Sequence, residues 1–220
     1  MCVVFLSKNT LQMKTIIITS FQPFGDYMYN PTKDIAHYAK KQYENGKYTR
    51  KIIGLFLPCE YYGAFNEFRP YIEKEKPYAI INLGFSSSVK GIRIENRFEN
   101  IMYHNRYSDN LGLKPDREPI NKNGDDYEYT DHNLNVFFKN ELHNKNMRVE
   151  FSNNANNFIC NSFGYLTAQF IREHKLQTKH IFLHIPWTDN YREIIKNTDG
   201  KIFLEERVIH RAIDFIIKKI

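Results

Sequence analysis

The sequence predicts a single-domain α/β fold, a three-layer α/β/α sandwich around a twisted, mostly parallel central sheet. Thr15-Ile16-Ile17-Ile18-Thr19-Ser20 is an unbroken, largely β-branched run, the pattern of a strand buried on both faces of a parallel sheet. Similar runs alternate with stretches of helical period, as βαβ units require. No internal repeat or linker divides the 220 residues, a length that suits one large domain better than two.

The first strand follows Met13-Lys14, so residues 1–12 are expected to form an extension outside a domain of residues 13–220. After the loop Phe21-Gln22-Pro23-Phe24-Gly25-Asp26, Pro31 opens a helix that carries Ile35, Ala36 and Ala39 to a stop at Asn45-Gly46. Lys51–Leu57 is the second strand, about Tyr61–Glu75 the second helix and Tyr78–Gly84 the third strand, followed by Phe85-Ser86-Ser87-Ser88. Residues 105–126 are polar and rich in turn residues. A segment of this kind is either a lid or binding loop, or disordered. The αβ pattern then resumes with a helix over Asp131–His143, a strand over 147–151, a helix from Cys160 to about His174, a strand over 180–184 and an amphipathic helix over Glu205–Ile217.

Composition narrows the function classes. No run is long enough to cross a bilayer, and the short apolar start lacks the basic flank and cleavage site of a signal peptide, so the expected compartment is the cytosol. Three scattered cysteines make neither a disulfide framework nor a metal knuckle. The net charge of +6 is spread out, and no basic stripe with interleaved aromatics marks a nucleic-acid groove.

The chemistry concentrates at Asn157-Phe158-Ile159-Cys160-Asn161. A thiol at a helix N-terminus faces unpaired N–H groups and the positive end of the helix dipole, which is where a reactive cysteine would be built. His184 ends an apolar run closed by Pro186, and Glu95 follows the alternation Ile92-Arg93-Ile94. Together they offer the nucleophile, base and orienting acid of a cysteine hydrolase. Taken singly, each has a bland explanation: a buried thiol, a structural imidazole, a surface carboxylate. In an open α/β sheet, ligands bind beyond the carboxyl ends of the strands. Phe21–Phe24, Phe85–Ser88, the loop before Cys160 and His184 are all expected at that edge.

Six segments in order carry a resemblance to the pyroglutamyl peptidases (pyrrolidone-carboxylate peptidases). They are Thr19–Gly25, Tyr29-Asn30-Pro31, Ile92–Glu95 with Asn100, Arg106–Asn110 with Gly112 and Pro115, Phe158–Asn161, and Phe182–Pro186. The resemblance covers the chain from Met13 and implies a cysteine exopeptidase needing no metal or cofactor, with Cys160, His184 and Glu95 as its triad. It implies peptide substrates with a blocked, pyroglutamyl N-terminus, no nucleic-acid or membrane partner, and a homo-oligomer. It puts Phe21 and Phe24 on either side of the lactam, Phe85 and Ile159 against it, and Arg106 near the developing oxyanion.

The chain also departs from the family pattern. Phe85-Ser86-Ser87-Ser88 stands where the family has Gln-Ala-Gly-Gly, Asn96 where it has Arg, Asn154-Ala155-Asn156-Asn157 where it has Thr-Ala-Gly-Thr, and Ser162 where it has His. Asn156 can take a glycine's place at positive φ, because Asn visits that region more readily than most residues. Two other readings fit the same residues: an amidohydrolase for a different small N-acyl cap, and a non-catalytic homologue that binds capped N-termini.

Overall fold

The structure, a computed structural model, describes residues 14–195 and 198–220; the expected extension over residues 1–12 lies outside them. The chain begins β1 (Thr15–Phe21), α1 (Thr32–Glu44), β2 (Lys51–Leu57), α2 (Gly63–Glu75), β3 (Ala79–Phe85) and β4 (Ile92–Glu95). Four short strands follow: β5 (Arg97–Glu99), β6 (Met102–Tyr103), β7 (Asp116–Glu118) and β8 (Tyr127–Tyr129). Then come α3 (His132–Asn144), β9 (Val149–Ser152), α4 (Ile159–Glu173), β10 (Lys179–Ile185), β11 (Trp187–Thr188), β12 (Phe203–Leu204) and α5 (Glu206–Lys219).

The central sheet has six strands in the order β2-β1-β3-β10-β4-β9. Four run parallel; β4 lies antiparallel to β10 and carries β9 parallel to itself. Strand pleat sorts the side chains into two cores. Ile16, Ile18, Ile81, Leu83 and Leu183 face α1, α3 and α5, and Ile17, Phe21, Ile80 and Phe182 face α2 and α4. Both faces are therefore covered, as the unbroken apolar runs predicted. Among the described residues, no helix is long and apolar enough to cross a membrane.

The reversal of β4 and β9 corrects one expectation. The chain leaves β9 with the opposite polarity to β10, so the loop before Cys160 does not start at the shared carboxyl edge. Asn153–Phe158 carry it back, turning through Asn156 at φ 59, the conformation expected of a residue standing in for glycine.

The polar stretch 105–126 is built into the fold. β7 pairs with β6, and β5 with β8. Asp109 is buried and takes hydrogen bonds from the backbone N–H groups of Leu111 (2.9 Å), Leu113 (2.8 Å) and Tyr61 (3.3 Å). Strands this short carry too little periodicity to be read from sequence, because side-chain anchors rather than long ladders hold them.

Ile81 lies at the centre of the sheet with no exposed surface, so Ile81→Ala should cost roughly 3–4 kcal/mol of stability. Urea unfolding measures this, and a loss under about 1 kcal/mol would contradict the packing.

Candidate functional site

Glu95 pairs in register with Phe182 across the antiparallel β4–β10 ladder. Its diagonal neighbours on the same face are therefore His180 and His184, within reach of a long side chain. Glu95 selects His184: the imidazole Nδ1–H donates to Oε1 at 2.8 Å, with both side chains buried. Thr130 Oγ1 donates to the Glu95 backbone carbonyl at 2.9 Å and pins the strand end.

His180 is held apart from this pair. Asn82 Nδ2 donates to its Nε2 at 3.0 Å, while Thr19 Oγ1 donates to Asn82 Oδ1 at 3.0 Å. Burial pushes the His180 pKa down to about 3, so this ring stays neutral. His184 behaves in the opposite way. Burial alone would lower its pKa, but the charge and polar contacts of Cys160 and Glu95 together outweigh it. The ring is held protonated, its pKa raised to about 10.

Cys160 sits in the first turn of α4, where the earliest backbone N–H groups have no carbonyl a turn before them; those of Asn161 and Ser162 already donate to the Phe158 carbonyl. Gly84, at the carboxyl end of β3, lies against both groups. A Cβ built there would be 2.7 Å from His184 Nε2 and 2.9 Å from Cys160 Sγ. Only a residue without a side chain leaves the imidazole and the sulfur facing each other. Sequence reasoning missed Gly84, although a glycine near the end of an otherwise apolar strand is the usual mark of close approach.

Asn161 fixes the turn that carries Cys160. Its Oδ1 accepts from the Glu99 N–H at 2.8 Å, and its Nδ2 donates to the carbonyls of Glu99 (2.8 Å) and Ile101 (3.0 Å). Ser162 Oγ donates to the Tyr61 carbonyl at 2.9 Å and ties the same turn to the approach to α2.

Cys160 and His184 open onto a cleft of about 440 Å³, within the range of small-molecule sites. Phe21, Phe24, Phe85 and Ile159 line it as expected. Phe21 and Phe24 do not form a matched pair, however. Phe21 packs edge-on against Phe163 (5.2 Å), and Phe24 is ringed by Tyr27 (5.2 Å), Phe158 (5.5 Å), Tyr107 (6.0 Å) and Phe85 (6.3 Å). Phe85 is backed by buried Trp187 at 4.4 Å. Nothing in a single sequence separates Tyr27, Tyr107 and Phe158 from ordinary core aromatics.

Arg106 departs from expectation. It does not line the cleft; its exposed guanidinium pairs with Asp26 at 2.7 Å and lies over the Tyr107 ring. His104, two residues earlier, lines the cleft instead.

Residues 14–218 match the sequence model of the pyroglutamyl peptidase family. The chain belongs to that family. It is 32% identical over 174 residues to the pyrrolidone-carboxylate peptidase of Oceanobacillus iheyensis, covering 79% of this chain and 84% of that protein. The crystal structure of pyroglutamyl peptidase I from Bacillus amyloliquefaciens superposes with a TM-score of 0.82 at 23% identity, covering 94% of each chain. The pyrrolidone carboxyl peptidase from Thermococcus litoralis gives 0.82 at 26%, covering 94% of this chain and 92% of that one. As a member of the pyroglutamyl peptidase family, the protein is a cysteine peptidase.

Two outcomes follow from the site. Gly84→Ala should leave a folded protein with at least a 100-fold loss of peptidase activity (an order-of-magnitude figure for misplaced reacting groups), read by circular dichroism alongside turnover. Cys160→Ser removes the largest upward influence on His184, so its titration midpoint should fall from about 10. Imidazole proton shifts followed by NMR would show this, and an unmoved midpoint would mean that sulfur and ring do not interact.

Proposed function

We propose that the protein removes an N-terminal pyroglutamyl residue from peptides, using Cys160, His184 and Glu95 and passing through an acyl-enzyme. The observation that carries this reading is the buried Glu95–His184 hydrogen bond, with the imidazole and the Cys160 sulfur meeting over Gly84.

With His184 protonated and paired to Glu95, the thiolate of Cys160 attacks the carbonyl carbon that joins pyroglutamate to the next residue. The oxyanion that forms is met by N–H groups of the first turn of α4. His184 Nε2–H then gives its proton to the leaving amine, and the peptide departs shortened by one residue. The thioester that remains is attacked by water, which loses its proton to His184. Collapse expels the thiolate and frees pyroglutamic acid, which loses its remaining proton to solvent, and the thiolate–imidazolium pair is restored. Glu95 stays ionised throughout, fixing the ring and stabilising its charge.

The aromatic cleft suits a flat, neutral five-membered lactam. A free α-amino group would have to shed its water there without a counter-charge, so ordinary N-termini are rejected. The proposed setting is the cytosol, where free thiols persist.

The test is release of a fluorescent amine from its pyroglutamyl amide, with the prolyl amide as control. Wild type should turn over the first and ignore the second. Cys160→Ala should fall to background, and Glu95→Gln should lose roughly 10²–10⁴-fold in kcat. Silence from folded protein whose Cys160 still alkylates rapidly would shift the reading to another small N-acyl cap. Silence with an inert thiol would favour a binding protein.

A further inference from the structure

His104 stands in the cleft wall with a fixed tautomer. Its Nδ1 accepts from the backbone N–H of Tyr107 at 2.8 Å and of Arg106 at 3.2 Å. A nitrogen that accepts two hydrogen bonds carries no proton, so the ring hydrogen sits on Nε2. Protonating Nδ1 would set an N–H against two N–H donors. Burial, Lys114 and Arg106 act in the same direction and hold the pKa of this histidine below its ordinary value. The ring is clamped flat against Tyr107 (5.1 Å, 13°) and packs on Phe158 at 4.7 Å. Both of these rings also wall Phe24. Among the described residues no hydrogen bond reaches Nε2, and this atom is not one of the buried polar atoms left unpaired. The wall thus presents a neutral, rigid N–H donor on a residue that lines the cleft.

We propose that His104 is a specificity-determining residue, whose Nε2–H donates to the ring carbonyl oxygen of the bound lactam. This rests on the pyroglutamyl reading above and deepens it. A carbocyclic or prolyl ring has no acceptor at that position, so the donor would be left desolvated and unpaired. The scissile oxyanion is the less fitting partner, because the first turn of α4 already supplies donors beside Cys160. Arg106 is tied to Asp26 and leaves this part of the wall to His104.

Two substitutions separate donor from scaffold. In His104→Asn the amide oxygen can accept the two backbone N–H groups, but no donor reaches the Nε2 position. His104→Gln places an amide nitrogen near that position. Each variant is assayed on the pyroglutamyl amide and on its cyclopentanecarbonyl counterpart, which has the same ring size without the lactam. His104→Asn should lower kcat/KM for the pyroglutamyl substrate by about 10–100-fold, chiefly through KM, and leave the carbocyclic substrate within a few-fold. His104→Gln should recover part of the loss. Equal losses on both substrates would show a structural role and overturn the proposal, as would no loss on either. If the wild type cleaves neither compound, the pyroglutamyl reading fails, and a titration of histidine-labelled protein with 2-pyrrolidone decides the donor separately. A shift of the His104 Nε2–H resonance supports the donor, and an unmoved resonance overturns it.

Discussion

A carboxylate with no exposed surface sits in the face of the central sheet, and the rest of the site depends on how it is accommodated. Glu95 cannot remain charged there without a partner. The antiparallel turn of β4 against β10 supplies one, because it sets Glu95 opposite Phe182 and diagonal to His184. Parallel pairing at that place would change which residues meet. The reversal of two strands in an otherwise parallel sheet therefore has a chemical reason: it brings an acid and a base from distant parts of the chain onto one face, 2.8 Å apart.

Two histidines on β10, four residues apart on the same face, meet opposite fates. His180 has the neutral amide of Asn82 and the Phe98 ring beside it and stays neutral, whereas His184 has Cys160 and Glu95 and stays charged. Residue type, burial and the face presented are alike for both. The partners make the difference: register puts Glu95 within reach of both rings, and Cys160 on α4 meets only His184.

That contrast explains how far the sequence could be read. The β-branched run at Thr15–Ser20 and the helical periods reveal the layers, because burial on both faces leaves a direct trace in residue type. Cys160 was legible from its place before a helix, and His184 from its place at a strand end. Glu95 was weakly marked until the family resemblance fixed it, since a carboxylate by itself reads as surface. The direction of β4 was not legible, and with it went the expected exit of the loop after β9. Gly84 and Asn161 were missed as builders of the site because their roles lie in tertiary contacts that a local pattern does not encode. Arg106 stands outside the cleft lining with its guanidinium on Asp26, a pairing that matching its position could not show.

The segment from β5 to β8 is held to α4 by Glu128 and Asp125 on Arg172 and, near Cys160, through its main chain. Asn161 engages the backbone of Glu99 and Ile101, and the Asn157 carbonyl accepts the backbone N–H of Tyr103. None of these anchors specifies which side chains Tyr103, His104 or Tyr107 must present. These three positions of the wall can accordingly change without disturbing the turn that carries Cys160, whereas Phe158 and Ile159 belong to that turn. The architecture separates what must be inherited from what is free to drift: a reactive core stitched to an interchangeable lining.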